Sequence, residues 1–244
     1  MFFNNLKTKK MKKNEKKFQQ NHQDDFVDEF LNNGDVDNNT LLTVLKTRWL
    51  EEDKCEKAAI KMLNQKPNNY QLTQIIRLIS SSKIKTQAAL MLLENNPSNE
   101  QLIYIIEWVD DPNIREEAAQ KIFEQNPTKD YLRSIIINVR EFADRAGWMI
   151  YNQNPDLSDL SFLIGWTKSS YLKIVSACEL LEEREELPIK TIQLILARVP
   201  ELAKKAWLIY LKNNPTQAEL EWVVKNVKDP QIIKEAEDLL RLVD

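Results

Sequence analysis

The stretch Ala88-Ala89-Leu90-Met91-Leu92-Leu93-Glu94-Asn95-Asn96-Pro97-Ser98-Asn99-Glu100-Gln101-Leu102-Ile103-Tyr104-Ile105-Ile106 decides the fold, because the chain keeps returning to it. Its Asn-Pro step recurs as Lys66-Pro67, Asn96-Pro97, Asn126-Pro127, Asn154-Pro155 and Asn214-Pro215, with a displaced copy at Leu187-Pro188. Successive prolines are 30, 30, 28, 33 and 27 residues apart. A period of this size, with the same apolar pattern on either side of each proline, is that of helix pairs stacked in a tandem array.

Ahead of the proline, a first helix runs through an alanine pair into two bulky residues. The copies are Ala58-Ala59 with Met62-Leu63, Ala88-Ala89 with Leu92-Leu93, and Ala118-Ala119 with Ile122-Phe123. The helix must stop at Asn/Lys-Pro, because proline disfavours the helical region for the residue before it and offers no amide donor. Asn tolerates the left-handed conformation that ends helices better than other non-glycine residues. Asn68, Ser98, Thr128 and Thr216 then follow as N-cap candidates, and Ser98…Gln101 and Thr216…Glu219 fit the reciprocal capping box.

Behind the proline, apolar residues fall at positions 5, 8, 9 and 12: Leu72, Ile75, Ile76, Ile79; Leu102, Ile105, Ile106, Val109; Leu132, Ile135, Ile136, Val139; Leu220, Val223, Val224, Val227. This spacing places all four on one stripe of a second helix. One such repeat has too few large apolar side chains to offset the entropy of ordering it. Stacking on neighbours supplies the missing burial, and the alanine pair is where helices should approach most closely.

The array begins irregularly. Residues 1–24 carry seven lysines against Glu15 and Asp24, have no apolar period, and read as a disordered basic tail. Phe26, Val27, Phe30 and Leu31 suggest a capping helix. Thr40–Leu50 matches a second helix whose proline is replaced by Asp37. Residues 25–244 are thus expected to form one repeat array.

Composition narrows the functional classes. Outside the tail there are 27 basic and 35 acidic residues, a balance that repels phosphate backbones unless basic side chains gather on one face. Cys55 and Cys178 lack metal or redox spacing and read as reduced core thiols. No stretch has the length and apolarity of a membrane span, and Met1-Phe2-Phe3 is too short an apolar run for a signal peptide, so a cytoplasmic location is expected.

Two inter-repeat turns share the frame D-P-x-I-x-x-x-A: Asp111-Pro112-Asn113-Ile114-Arg115-Glu116-Glu117-Ala118-Ala119 and Asp229-Pro230-Gln231-Ile232-Ile233-Lys234-Glu235-Ala236. Asp is placed to cap and Pro to open the next first helix. Here the chain resembles HEAT-like repeats of the short bacterial type, which open with D-P-x-V-R-x-x-A-A. The second frame departs at Ile233 and Glu237. The resemblance covers about residues 38–244. It implies an all-α, right-handed superhelical α-solenoid of about six helix pairs, serving as a surface for protein interaction, with second helices on the concave side. A few such lineages bind nucleic acid or assist enzymes, and these are the alternative readings.

Residues for catalysis are scarce. The one histidine, His22, sits in the basic tail, so neither cysteine has a positioned imidazole partner. Zinc ligation lacks its His/Cys set, and no Gly-rich phosphate loop is present. Asp110-Asp111 reads as a helix stop and cap. The acidic run Glu182-Glu183-Arg184-Glu185-Glu186, in the repeat lengthened around Pro188, reads as a solvated turn or a second acidic contact. No catalytic residue, cofactor or metal is expected.

The candidate binding residues are aromatic. Positions 7 and 11 after the proline read Gln74/Leu78, Tyr104/Trp108, Ser134/Asn138, Phe162/Trp166 and Trp222/Asn226. They are i,i+4 neighbours beside the core stripe. Tyr104, Trp108, Phe162, Trp166 and Trp222 would therefore line a groove, where Tyr and Trp serve well as interface anchors, or pad the core between repeats. Arg77, Arg133, Arg198 and Lys225 near this row mix with Glu107, Asp130, Asp159 and Glu221, which is not the continuous basic stripe that nucleic acid requires. The partner class expected is protein.

Overall fold

The computed structural model describes residues 27–29, 31–32, 35–47, 50–183 and 187–243. The expected basic tail, Phe26, Phe30, His22 and residues 184–186 of the acidic run lie outside these. Among the described residues all regular structure is helical. The chain divides into two compact units, Met1–Gln125 and Asn126–Asp244.

In the first unit the helices are Asn38–Leu45, Glu52–Leu63, Asn69–Leu78, Ser82–Glu94, Asn99–Trp108 and Pro112–Glu124. Each second helix packs most closely on the first helix that follows it: Asn38–Leu45 on Glu52–Leu63, Asn69–Leu78 on Ser82–Glu94, and Asn99–Trp108 on Pro112–Glu124. Second helices also stack on second helices, and first on first, so that two rows run side by side.

The second unit repeats the plan. Lys129–Asn138 packs on Ala143–Tyr151, Leu157–Trp166 on Ser170–Glu183, Ile189–Arg198 on Ala203–Lys212, and Gln217–Asn226 on Pro230–Val243. Short 3-10 turns, Arg140–Phe142 and Pro200–Leu202, lead into two of the first helices. Consecutive helix pairs of this kind are consistent with an α-solenoid.

Local chemistry explains the elements. Lys66, Asn96, Asn126, Asn154 and Asn214, each directly before a repeat proline, all adopt left-handed backbone with φ between 48° and 54°. The next residue caps the second helix: Asn68, Ser98, Asp156 and Thr216 each form a reciprocal capping box with the residue three positions on. Thr128 makes no side-chain cap bond, and Tyr131 three positions on stands in place of the Gln, Asp or Glu that returns the reciprocal bond in the other repeats. Asp111 and Asp229 cap the helices opened by Pro112 and Pro230, as expected. Asp110 instead pairs with Arg115, which also donates to the Val109 carbonyl.

Side-chain amides then tie each repeat to the next. Within the first unit Asn69 Nδ2 donates to Asn95 O at 3.1 Å and Gln125 Nε2 to Pro97 O at 3.2 Å. In the second, Gln153 Nε2 donates to Pro127 O at 3.4 Å and Asn213 Nδ2 to Leu187 O at 3.3 Å. These bonds satisfy carbonyls that the helix ends and turns leave open.

The core is the expected one. Ala58, Ala59, Ala88, Ala89, Ala118 and Ala119 are fully buried, as are Leu72, Ile75, Ile76, Leu102, Ile105 and Ile106. Three expectations need correction. Position 12 does not continue the helical stripe: Ile79, Val109, Val139 and Val227 are extended C-caps, the first three with buried side chains and Val227 half-buried, so the turn itself is anchored in the core. The helix expected at Thr40–Leu50 is Asn38–Leu45, because Asp37 accepts from the Asn39 and Thr40 amides and fixes an earlier start. Cys55 and Cys178 are free but half-buried, not core residues.

Candidate functional site

The candidate aromatic residues all stand on second helices. In the first unit Asn99–Trp108 buries Leu102, Ile105 and Ile106, and this turns positions 7 and 11 toward its flank. Tyr104 is half-buried there, and Trp108 is 44% exposed, with Lys85 Nζ of the first helix of the same repeat 5.8 Å from its ring centroid. An ammonium held over an indole face is a favourable cation–π placement.

In the second unit Leu157–Trp166 carries Phe162, half-buried, and Trp166, 56% exposed. Their rings stack, with centroids 6.1 Å apart and planes at 21°. The Arg133 guanidinium lies over the Phe162 ring, 5.6 Å from its centroid. Arg133 and Asp159, read in sequence as groove charges, are not free to serve as such. Asp159 is 1% exposed and accepts from both Lys129 and Arg133 at 2.6 Å. Burial alone would raise its pKa. The Lys129 bond, the Asp156 amide and the two cations outweigh burial and hold the carboxyl below the usual range.

Trp222 is equally exposed but has a different neighbour. Its ring lies 6.2 Å from Trp207 of the helix Ala203–Lys212, with planes at 33°, and Trp207 meets Tyr210 edge-on at 5.5 Å. Together they border a trough of about 670 Å³ between Ile189–Arg198 and Gln217–Asn226. Its lining is apolar apart from Gln193 and Glu219. The Tyr210 hydroxyl donates to Glu219, which also accepts from the Thr216 amide at 2.8 Å. Burial, then the Glu219 charge and this bond, push the Tyr210 phenol up.

Sequence reasoning missed Trp207 and Tyr210, although a signal existed. Eight residues before an Asn/Lys-Pro step the first four such repeats place Ala59, Ala89, Ala119 and Gly147; before Pro215 the same place holds Trp207, as the displaced Pro188 repeat holds Leu180. The small residues are buried at helix contacts, whereas Trp207 is half-exposed. Ile189–Arg198 and Gln217–Asn226 stand further apart than Leu157–Trp166 and Ile189–Arg198 do.

Other candidate chemistry is thin. Among the described residues no group of three or more His, Cys, Asp or Glu side chains could hold a metal ion. Burial pushes the Cys55 thiol up, with Asp53 and Glu52 adding to the effect, the opposite of what a reactive thiolate needs. No helix of the described residues is long and apolar enough to cross a membrane. Set against known proteins, the chain matches no family model, no curated protein and no solved structure.

Proposed function

We propose that the chain is a non-catalytic protein-binding scaffold or adaptor, built from HEAT-like repeats and working through the surface of its second helices. The carrying observation is that Trp108, Trp166 and Trp222 are each about half exposed on second helices, at the two positions beside the core stripe. Large aromatic side chains held at an exposed, rigid surface are costly to leave in water and are favoured anchors of protein interfaces. The right-handed superhelix of about six pairs and the cytoplasmic location belong to the same proposal, on the strength of the repeat frame.

The test is affinity capture of the tagged protein from its native cell beside a Trp108→Ala, Trp166→Ala, Trp222→Ala triple variant. A protein recovered with the wild type and lost with the triple variant supports the reading. Recovery of nucleic acid, with binding that falls steeply as salt rises, would replace it by the nucleic-acid alternative.

A further inference from the structure

The trough in the second unit is larger than one exposed tryptophan explains. Ile189, Ile192, Leu196 and Ala197 form one wall, Ala218 and Trp222 the other, and Trp207 and Tyr210 its base. Its volume of about 670 Å³ falls within the roughly 300–1,000 Å³ of binding clefts. It is open along one side and about two helical turns long on the Ile189–Ala197 wall. A groove between two neighbouring helices is the shape that receives the side-chain ridge of a third.

The charges at its margin add direction. At the start of the trough Lys190 stands on one wall and Glu219 and Glu221 on the other, a mixed end. At the far end Arg198 closes one wall, and Lys225 follows Ala218 and Trp222 at i, i+4, i+7 on the other. Both are exposed, and among the described residues neither is ion-paired. Glu219 is already engaged by Thr216 and Tyr210, so the walls offer an incoming group mainly apolar contact.

We propose that this trough takes the apolar ridge of an amphipathic helix from a protein partner, with an acidic side chain of that helix reaching Arg198 and Lys225. The proposal rests on the protein-binding reading and names the chemistry of what binds. Trp207 is its specificity-determining residue, because its ring supplies the floor between the two walls and meets both Tyr210 and Trp222.

The probe is a fluorescein-labelled synthetic helical peptide with Leu at i, i+4 and i+7 and Glu in the following turn, titrated with the full chain by fluorescence anisotropy. Saturable binding is expected. It should weaken at least about tenfold in Trp207→Ala, which installs the small residue found at this place before Pro67, Pro97 and Pro127, and in Ala218→Trp, which fills the trough. Lys225→Glu should weaken it less, and circular dichroism melts verify that each variant folds. Equal binding by the wild type and both trough variants overturns the proposal, as does absence of saturable binding. A small fluorescent aromatic such as anilinonaphthalene sulfonate held in the trough while the peptide fails would also overturn it, in favour of a small-molecule cleft. Peptide binding lost in Trp166→Ala but kept in the trough variants overturns the trough and leaves the scaffold reading standing. Partner capture unchanged by every one of these variants contradicts both.

Discussion

Arg133 Nη2 and Asp159 Oδ1 lie 2.6 Å apart between successive second helices, with Asp159 almost wholly removed from solvent. The same carboxylate takes Lys129 Nζ at 2.6 Å and the Asp156 amide at 3.0 Å, so one residue both completes a helix cap and joins two repeats. A group whose folded pKa lies below its unfolded value of about 3.9 stabilises the fold above that value. That contribution disappears as pH falls through the folded pKa. Asp159→Asn should therefore cost about 1.5–3 kcal/mol at neutral pH and reduce the loss of stability on acidification. Urea unfolding of both proteins at neutral pH and near pH 3 measures this, and parallel pH profiles would refute it.

Gly147 occupies the small-residue place of its repeat. A Cβ there would lie 2.6 Å from Leu172 Cδ2 and 3.0 Å from Thr167 Cγ2, and Leu172 is itself fully buried. Overpacking of this kind costs about 1–3 kcal/mol, more than the ~0.5–1 kcal/mol a helical glycine gives up relative to alanine. Gly147→Ala should lower the melting temperature, although alanine is the residue used in the preceding repeats. A rise would mean that Leu172 has room to move.

Lys66 holds the left-handed conformation at φ 51° that asparagine holds at the other four Asx-Pro stops. Left-handed backbone costs an ordinary residue roughly 1–2 kcal/mol, and asparagine less. Lys66→Asn should stabilise the first unit by about 0.5–1 kcal/mol on this ground, read as a higher urea midpoint with unchanged slope. The reverse change, Asn96→Lys, should lower it.

These features were legible in the sequence because they are local. Asn-Pro, a capping residue and its partner three positions later specify their own backbone within one turn, so Ser98/Gln101 and Thr216/Glu219 could be paired by spacing. The buried role of Ala58-Ala59 and its copies followed from the period. The trough did not, because it depends on how far apart two non-adjacent helices stand. Its one local sign, Trp207 eight residues before Pro215, was masked by the Leu187-Pro188 repeat, where the shifted proline breaks the frame. Asp159 was misread for a related reason. Its acidic side chain follows the spacing of a surface charge, and its burial comes from Lys129 and Arg133 of the preceding repeat.

The second unit, Asn126–Asp244, is compact and carries its own buried cluster from Leu160 to Ala236. Stability in a repeat array is close to a sum over units and their neighbours. A fragment of residues 126–244 should fold, with a helical circular dichroism spectrum and a cooperative melt. A fragment without helical signal would mean that its stability depends on residues before 126.

The central claim is that exposed tryptophans on second helices do the binding. The most direct measurement titrates the captured protein partner with the wild type, Trp108→Ala and Trp166→Ala, and follows the thermal unfolding of all three. Binding should weaken by about 2 kcal/mol or more at each site while the melts stay nearly superimposed. Unchanged affinity together with a loss of about 3–5 kcal/mol of stability, as expected of core residues, would contradict it.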